Sequence, residues 1–347
     1  MEFSNTLINW YSNNNRSLPW RETINPYHIW LSEIILQQTQ VKQGLPYYNA
    51  FIKQYPTVFD LANAYEEEVL KLWQGLGYYS RARNLHATAK HIAFSLKGDF
   101  PNNYKDLIKL KGVGDYTASA IASIAFNEVA AVVDGNVYRV LARYFGIDTP
   151  INSTAGIKEF KKMATSLIDS KQPAIFNQSI MEFGAIQCKP KNPSCMVCPL
   201  SQSCVALEKN LINTLPVKIK KTKVKIKYFN FLVCIDKSKN TFIEKRTSKG
   251  IWQNLYQFPL IESKKSLSSD EFHLLDLNHS FLKDLKFEYS LYNIKDKVHK
   301  LSHQHLHTKF WIIEINQLPE ASVPIKELKN YPVPILIDNF IKAFNFS

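Results

Sequence analysis

Acids are scarce in this 347-residue chain, long apolar runs are missing, and cysteine is nearly confined to one short stretch. Only 30 Asp and Glu stand against 43 Lys and Arg, a formal charge of +13. That deficit sets an acidic partner as the expectation. Nucleic acid fits best, because Lys and Arg release the counterions condensed on phosphates; a basic, solvated surface is the plainer reading of the same excess. The longest apolar candidate, Tyr116 to Asn127, falls short of the roughly 18 to 20 residues that cross a bilayer, so no membrane span is expected. The first twenty residues carry Asn, Trp, Tyr and Arg16 rather than an apolar core and a small-residue cleavage site, so a cytoplasmic protein is expected. Four of the five cysteines fall between Cys188 and Cys204. A disulfide framework would spread them through a smaller secreted chain, so the cluster points to a metal centre in a reducing compartment. No internal repeat is present.

At roughly 150 residues per domain the length predicts two domains. With 45% hydrophobic and 21% charged residues, the chain can bury real cores and is not a disordered type. From about Asn5 to Asn210 apolar positions recur at three and four residue spacing. The pattern predicts helices over Ile29–Val41, Ala64–Trp73, Arg81–Ser95, Tyr104–Leu110, Tyr116–Ala125 and Val137–Phe145, then Ser153–Ser170 and Ile175–Gly184. Beyond Leu215 the lysines 218, 220, 221, 223, 225 and 227 follow without an intervening acid and read as a basic linker, residues 213–226. Lys227–Ile235, Thr241–Arg246 and His307–Ile315 read as strands, and Ser269–Leu285 and Ile335–Phe344 as helices, which makes residues 227–347 an α+β domain.

Cys188, Cys195, Cys198 and Cys204 form C-x6-C-x2-C-x5-C, four thiolates within 17 residues that can hold an iron–sulfur cubane. Structural zinc is the rival, but zinc ribbons present two C-x2-C knuckles and only Cys195 and Cys198 have that spacing. Cys234, in a strand pattern, reads as a small buried hydrophobe. Leu110, Gly112, Val113 and Gly114 form a tight turn whose N–H groups can face a phosphate; an ordinary helix–helix turn reads equally well. Eighteen residues beyond Tyr116, Asp134 precedes a helical pattern, where N-capping and facing a developing cation are compatible roles; N–H donors and the helix dipole are expected to keep it ionised. Glu33 stands among Trp30, Leu31, Ile34, Ile35 and Leu36, so burial would raise its pKa toward that of a neutral-pH general acid. The bland alternative is a surface glutamate beside an apolar stripe.

Together the hairpin, the following Asp and the cysteine loop resemble the helix–hairpin–helix DNA glycosylases. Leu18-Pro19-Trp20-Arg21, Ser32-Glu33, Leu36-Gln37-Gln38-Thr39-Gln40-Val41, Gly75-Leu76-Gly77-Tyr78-Tyr79 and Val133-Asp134-Gly135-Asn136-Val137 are similar to the adenine DNA glycosylase, or MutY, family over nearly the whole chain. The resemblance implies an all-α catalytic region over residues 1–212: a six-helix domain at about 20–125 carrying the hairpin, and a cluster domain from 1–19 with 126–212. It implies a monofunctional enzyme that flips adenine out of pairs with 8-oxoguanine or guanine in double-stranded DNA and hydrolyses its N-glycosidic bond. Related glycosylase/lyases of the endonuclease III type carry a lysine nucleophile where this chain has Tyr116. By the same resemblance Glu33 protonates adenine N7, Asp134 stabilises the oxocarbenium ion electrostatically or covalently, and Tyr116 and Asn136 support that intermediate and the attacking water. Arg21, Leu36, Val41 and Gln178 match the adenine pocket, each with a bland alternative in helix packing. Gln38, Thr39, Leu76 and Tyr78 match the group probing the 8-oxoguanine side, with plain packing as the alternative for Tyr78. Gly112, Val113 and Gly114 would hold the DNA backbone, and the four cysteines a 4Fe-4S cluster.

Lys249-Gly250-Ile251-Trp252, Leu255 and Phe258-Pro259 resemble the MutT-like, or Nudix-like, domain with which this family recognises 8-oxoguanine. The glutamate-rich helix of a magnesium-dependent Nudix hydrolase is missing after Pro259, so the resemblance implies a reader. Ser302 and His303 match its recognition loop, Ser302 as partner to the lesion, although Leu301 stands where an aromatic is usual. Asp115 beside the hairpin is a second departure, read as facing away from the phosphate. The histidines from His299 to His307 read as strand alternation ahead of a metal site. A monomer is the expectation. The rivals are an endonuclease III-like lyase and a catalytically silent, cluster-bearing DNA-binding or electron-transfer protein.

Overall fold

The computed structural model describes residues 2–219, 224–277, 280–283 and 285–346. They form two compact units, one of residues up to 63 with 84–220, the other of 64–83 with 221 onward. The helices are α1 (Glu2–Asn14), α2 (Pro26–Leu36), α3 (Val41–Gln54), α4 (Val58–Asn63), α5 (Glu66–Leu72), α6 (Ser80–Lys90), α7 (Tyr104–Leu107), α8 (Asp115–Phe126), α9 (Gly135–Phe145), α10 (Thr154–Leu167), α11 (Pro173–Glu182) and α12 (Val205–Glu208). Among the described residues no helix is long and apolar enough to cross a membrane.

In the first unit α2 starts where the Asn25 side chain accepts from the Tyr27 N–H at 2.9 Å and Pro26 fills the first helical position. The predicted helix Ile29–Val41 does not run through. Gln38 takes a φ of 55°, which ends α2 at Leu36, and α3 begins afresh at Val41. Helices α3 and α4 fall in a stretch for which no helix was predicted. Phe3 and Leu7 of α1 join Val137, Leu141, Phe160, Phe176 and Phe183 in one core, which also takes in Leu215. That burial corrects the linker, because Leu215 is core and the Ile151 N–H donates to the Val217 carbonyl at 3.0 Å. Lys220, Lys221 and Lys223 lie outside the described residues.

The second unit carries β1 (Lys225–Ile235), β2 (Asn240–Thr241), β3 (Glu244–Lys245), β4 (Tyr256–Gln257), β5 (Leu260–Ser263), β6 (Glu288–Leu291), β7 (Lys297–Lys300), β8 (Gln304–Glu314), β9 (Val323–Pro324) and α13 (Ile335–Ala343). The sheet runs β6-β8-β1-β2-β9, with β5 on β1 and β7 on β8. Its central pair, β1 and β8, is parallel from Lys225 opposite Gln304 to Ile235 opposite Glu314. Both strands are buried over most of their length, as a parallel pair covered on two faces must be. The predicted strand Thr241–Arg246 is two strands, since β2 stays with the main sheet while β3 pairs with β4. The predicted helix Ser269–Leu285 is one 3-10 turn, Ser269–Leu274. Phe272, Leu275 and Leu282 are each buried in the core beside Trp311, and that packing overrides their helical spacing. Asn278, His279 and Asp284 of that prediction lie outside the described residues. Of the histidine run, His299 lies on β7, His305 and His307 alternate along β8, and His303 sits in the bend between the two strands.

Candidate active site

A cavity of about 170 Å3 in the first unit is lined by Arg16, Trp20, Arg21, Glu33, Leu36, Thr39, Val41, Tyr116, Asp134, Asn136, Gln178, Met181 and Glu182, with five further residues. It gathers the four predicted catalytic residues and the four predicted adenine contacts. Thr39, assigned by resemblance to the opposite base, lines it too. Gln38 is exposed at the α2–α3 turn and outside the lining.

Glu33 projects from α2, whose residues Ile29 to Ile35 are all buried, and is itself 8% exposed. Burial pushes its pKa up from 4.5 to about 7; the Tyr116 hydroxyl pulls it down, and the neighbouring Asp134 charge adds to the rise. That hydroxyl also lies 3.3 Å from Met181 Sδ. A thioether is the weaker acceptor, so the phenolic proton turns to Glu33 whenever the carboxyl ionises.

Asp134 caps α9. Its Oδ1 accepts from the N–H groups of Asn136 at 2.9 Å and Val137 at 2.8 Å, and its Oδ2 from Asn136 Nδ2 at 2.8 Å. Burial raises its pKa while these donors lower it. The donors therefore do not hold its pKa low by themselves, a correction to the expectation. They do make Asp134 the better-supplied of the two carboxylates, so of the two it is Glu33 that holds a proton more readily. Arg139 donates to Asn136 Oδ1 at 2.8 Å, to the Gly184 carbonyl at 2.7 Å and to the Cys188 carbonyl at 2.7 Å, tying the site to the cysteine loop. Gly184 is required there, since a Cβ would come within 2.6 Å of Asn136 Cβ and 2.9 Å of its carbonyl oxygen.

Glu182 was missed in the sequence. It is 1% exposed and takes Arg16 Nε at 2.7 Å, Arg16 Nη2 at 2.6 Å and Arg21 Nη2 at 2.7 Å. Burial would raise its pKa, but the two guanidiniums overcome that and hold it at about 2. Its signal was a lone acid in an apolar helix, Ile180-Met181-Glu182-Phe183, four residues after Gln178 and so on the same face.

The hairpin sits between α7 and α8. Gly112 has a φ of +80° and faces Asn84, whereas Gly114 is extended. Of the two, only Gly112 needs glycine's freedom. The N–H groups of Gly112 and Gly114 have no acceptor among the described residues. Asp115 is neutralised by Lys161 at 3.0 Å and accepts from the Tyr104 hydroxyl at 2.7 Å.

Cys188, Cys195, Cys198 and Cys204 line one void with Arg143, whose Nη1 lies 3.5 Å from Cys188 Sγ. Arg143 also donates to the carbonyls of Lys189 at 2.7 Å and Pro190 at 3.1 Å. Burial pushes the thiols of Cys195, Cys198 and Cys204 up, Cys198 to about 11. Such thiols become ligands when a cation displaces their protons. Among the described residues no three His, Cys, Asp or Glu close on a single metal ion. Four cysteine sulfurs lining one void are a donor set that an iron–sulfur cluster takes.

In the second unit a cavity of about 470 Å3 is lined by residues including Gly75, Gly77, Tyr78, Trp252, His299, Ser302 and His303. The hydroxyls of Tyr78 and Ser302 are 2.5 Å apart. Tyr78 is 48% exposed with a φ of 49°, while Leu76 is buried and outside the lining. Leu301 lines the same cavity.

The HhH-GPD superfamily base excision DNA repair protein model matches residues 31–164, and the NUDIX domain model residues 230–343. An adenine DNA glycosylase of Buchnera aphidicola subsp. Baizongia pistaciae is 39% identical over 91% of this chain and 87% of its own. One from Buchnera aphidicola subsp. Acyrthosiphon pisum is 35% identical over 98% of each chain. Among solved structures, a thermostable thymine-DNA glycosylase matches with 32% identity and a TM-score of 0.56, over 60% of this chain and 96% of that one.

Proposed function

The chain belongs to the adenine DNA glycosylase family, and we propose that it removes adenine paired with 8-oxoguanine or guanine in duplex DNA, hydrolysing the N-glycosidic bond without cutting the strand. One observation carries this reading. A single pocket holds a carboxyl with a pKa near 7, Glu33, and a carboxylate fed by three donors, Asp134, with no lysine in its lining.

The target base is stacked inside the duplex, so it is extruded into the pocket at a cost of a few kcal/mol. Glu33, about half protonated near pH 7, gives its proton to adenine N7, and the base departs neutral instead of as an anion. Positive charge then grows on the sugar and is met by Asp134, either electrostatically or by a transient bond. Asn136 holds Asp134 Oδ2 in place and, with Tyr116, supports the attacking water. A tyrosine has no amine, so no Schiff base forms at that position and the strand stays whole.

Arg21, Leu36, Val41 and Gln178 form the wall around the base. Gln38, Thr39, Leu76, Tyr78, Ser302 and His303 serve the opposite base, and the hairpin Gly112-Val113-Gly114 a phosphate through the free N–H groups of its two glycines. Cys188, Cys195, Cys198 and Cys204 hold a 4Fe-4S cluster, which when bound supplies a four-point cross-link and a redox centre. The protein acts as a cytoplasmic, nucleoid-associated monomer.

The test is single-turnover excision on duplexes with adenine opposite 8-oxoguanine, guanine or thymine, developed with and without hot alkali. Breaks only after alkali, fastest opposite 8-oxoguanine, are expected. Breaks without alkali on oxidised pyrimidines, or no excision, would return the chain to the lyase or the binding-protein reading.

A further inference from the structure

Tyr11 takes no part in the chemistry above, yet its hydroxyl donates to Gln178 Oε1 at 2.7 Å. Gln178 lines the base pocket and Tyr11 does not. The Gln178 amide nitrogen has no acceptor among the described residues, so it is the end left for a ligand. The Tyr11 ring is itself held, with the Arg21 guanidinium carbon 5.7 Å from its centroid. Arg21 is in turn pinned by Glu182, one turn beyond Gln178 on α11.

A side-chain amide has two orientations that exchange its donor and its acceptor. They match two different purines. Adenine carries the N6 amino donor beside the N1 acceptor, and hypoxanthine carries the reverse, the O6 acceptor beside an N1–H donor.

We propose that Tyr11 determines purine specificity by positioning Gln178: it engages one lone pair of Oε1 and holds Nε2 toward N1 of the base, so that the pocket accepts adenine and rejects purines protonated at N1. This rests on the adenine-excision reading. The second lone pair of Oε1 remains free for the N6 amino group. Turning the amide over would set Nε2 against the phenolic oxygen, a weaker acceptor than the amide carbonyl, and leave the phenolic O–H without its acceptor. The difference between these two neutral hydrogen bonds corresponds to a bias of about twofold to fivefold between the two orientations.

The experiment compares single-turnover excision of adenine and of hypoxanthine, each opposite 8-oxoguanine, by the full chain and its Tyr11→Phe and Gln178→Glu variants. Tyr11→Phe is expected to narrow the adenine-to-hypoxanthine rate ratio about twofold to fivefold. Gln178→Glu, whose carboxylate has no N–H, should narrow it further. A purely structural role for Tyr11 would slow both bases equally and leave the ratio unchanged, which overturns the inference. Should Tyr11→Phe fail to fold, an unchanged ratio in Gln178→Glu overturns it as well. If the unaltered chain does not excise adenine, the underlying reading falls and takes this inference with it; an unchanged ratio with adenine excision intact removes the inference alone.

Discussion

Replacing Glu33 with Gln removes one titrating group and keeps the shape of the side chain, which separates the cost of this residue to the fold from its use in the reaction. Folded, Glu33 has a pKa of about 7 against an ordinary 4.5, with burial as the leading cause. The unfolded chain therefore releases this proton near pH 4.5, while the folded chain keeps it until about pH 7. Between those values the folded state binds more protons, so stability falls as pH rises. Above pH 7 the ionised carboxyl costs the fold about 3 kcal/mol, from 1.36 kcal/mol for each of the roughly two and a half pH units separating the two values. Urea denaturation should find the Glu33→Gln variant close to the native protein at pH 4.5 and more stable by about 3 kcal/mol at pH 8. Single-turnover excision should fall by roughly 100-fold or more, because no proton is available for N7. A stability difference that is the same at both pH values would refute the elevated pKa. Undiminished product formation would refute the general-acid role.

Asp134→Asn keeps the cap on α9, since Asn caps as well as Asp, so stability should change by less than about 1 kcal/mol while excision collapses; a large drop in melting temperature would count against this. Glu182→Gln leaves the Arg16 and Arg21 cations short of charge. With Arg16 37% exposed, the cost should sit at the low end of the range for a broken buried pair, about 3 kcal/mol by urea denaturation. In the native protein the stability from Glu182 is full above pH 4.5 and lost as pH falls toward 2, so the acid limb of a pH–stability curve should flatten in that variant. Gly112→Ala forces a side chain to a φ of +80° and brings Cβ within 2.8 Å of Asn84 Cβ. It should cost roughly 1 to 2 kcal/mol and weaken duplex binding in a salt titration. Cys198→Ser should lower the iron content measured by chemical analysis, and unchanged iron would argue that Cys198 is not a ligand.

Much of the fold was legible where local rules agreed with packing. Asp134 marked a helix start because capping is local chemistry. The β1 and β8 patterns could be read because strands buried on both faces are continuously apolar and β-branched or aromatic. The failures share one cause. Ser269–Leu285 had helical spacing but was unwound by burial of Phe272, Leu275 and Leu282, and Thr241–Arg246 was divided between two sheets. Gln38 ended a helix that its neighbours favoured, through a φ of 55° that no composition rule anticipates.

The amino-acid sequence alone determined the chemical inventory: which acids, which cysteines, and a tyrosine in place of a lysine. Identity and spacing along the chain are covalent facts. Only the tertiary structure decided which of those groups share a pocket and what protonation state each holds there. It put Glu33 of α2, Asp134 ahead of α9 and Gln178 of α11 around one cavity, added Glu182 with its two arginines, and tied the Gln178 amide to Tyr11. A pKa or an amide orientation depends on burial and on partners more than a hundred residues away, and folding supplies both.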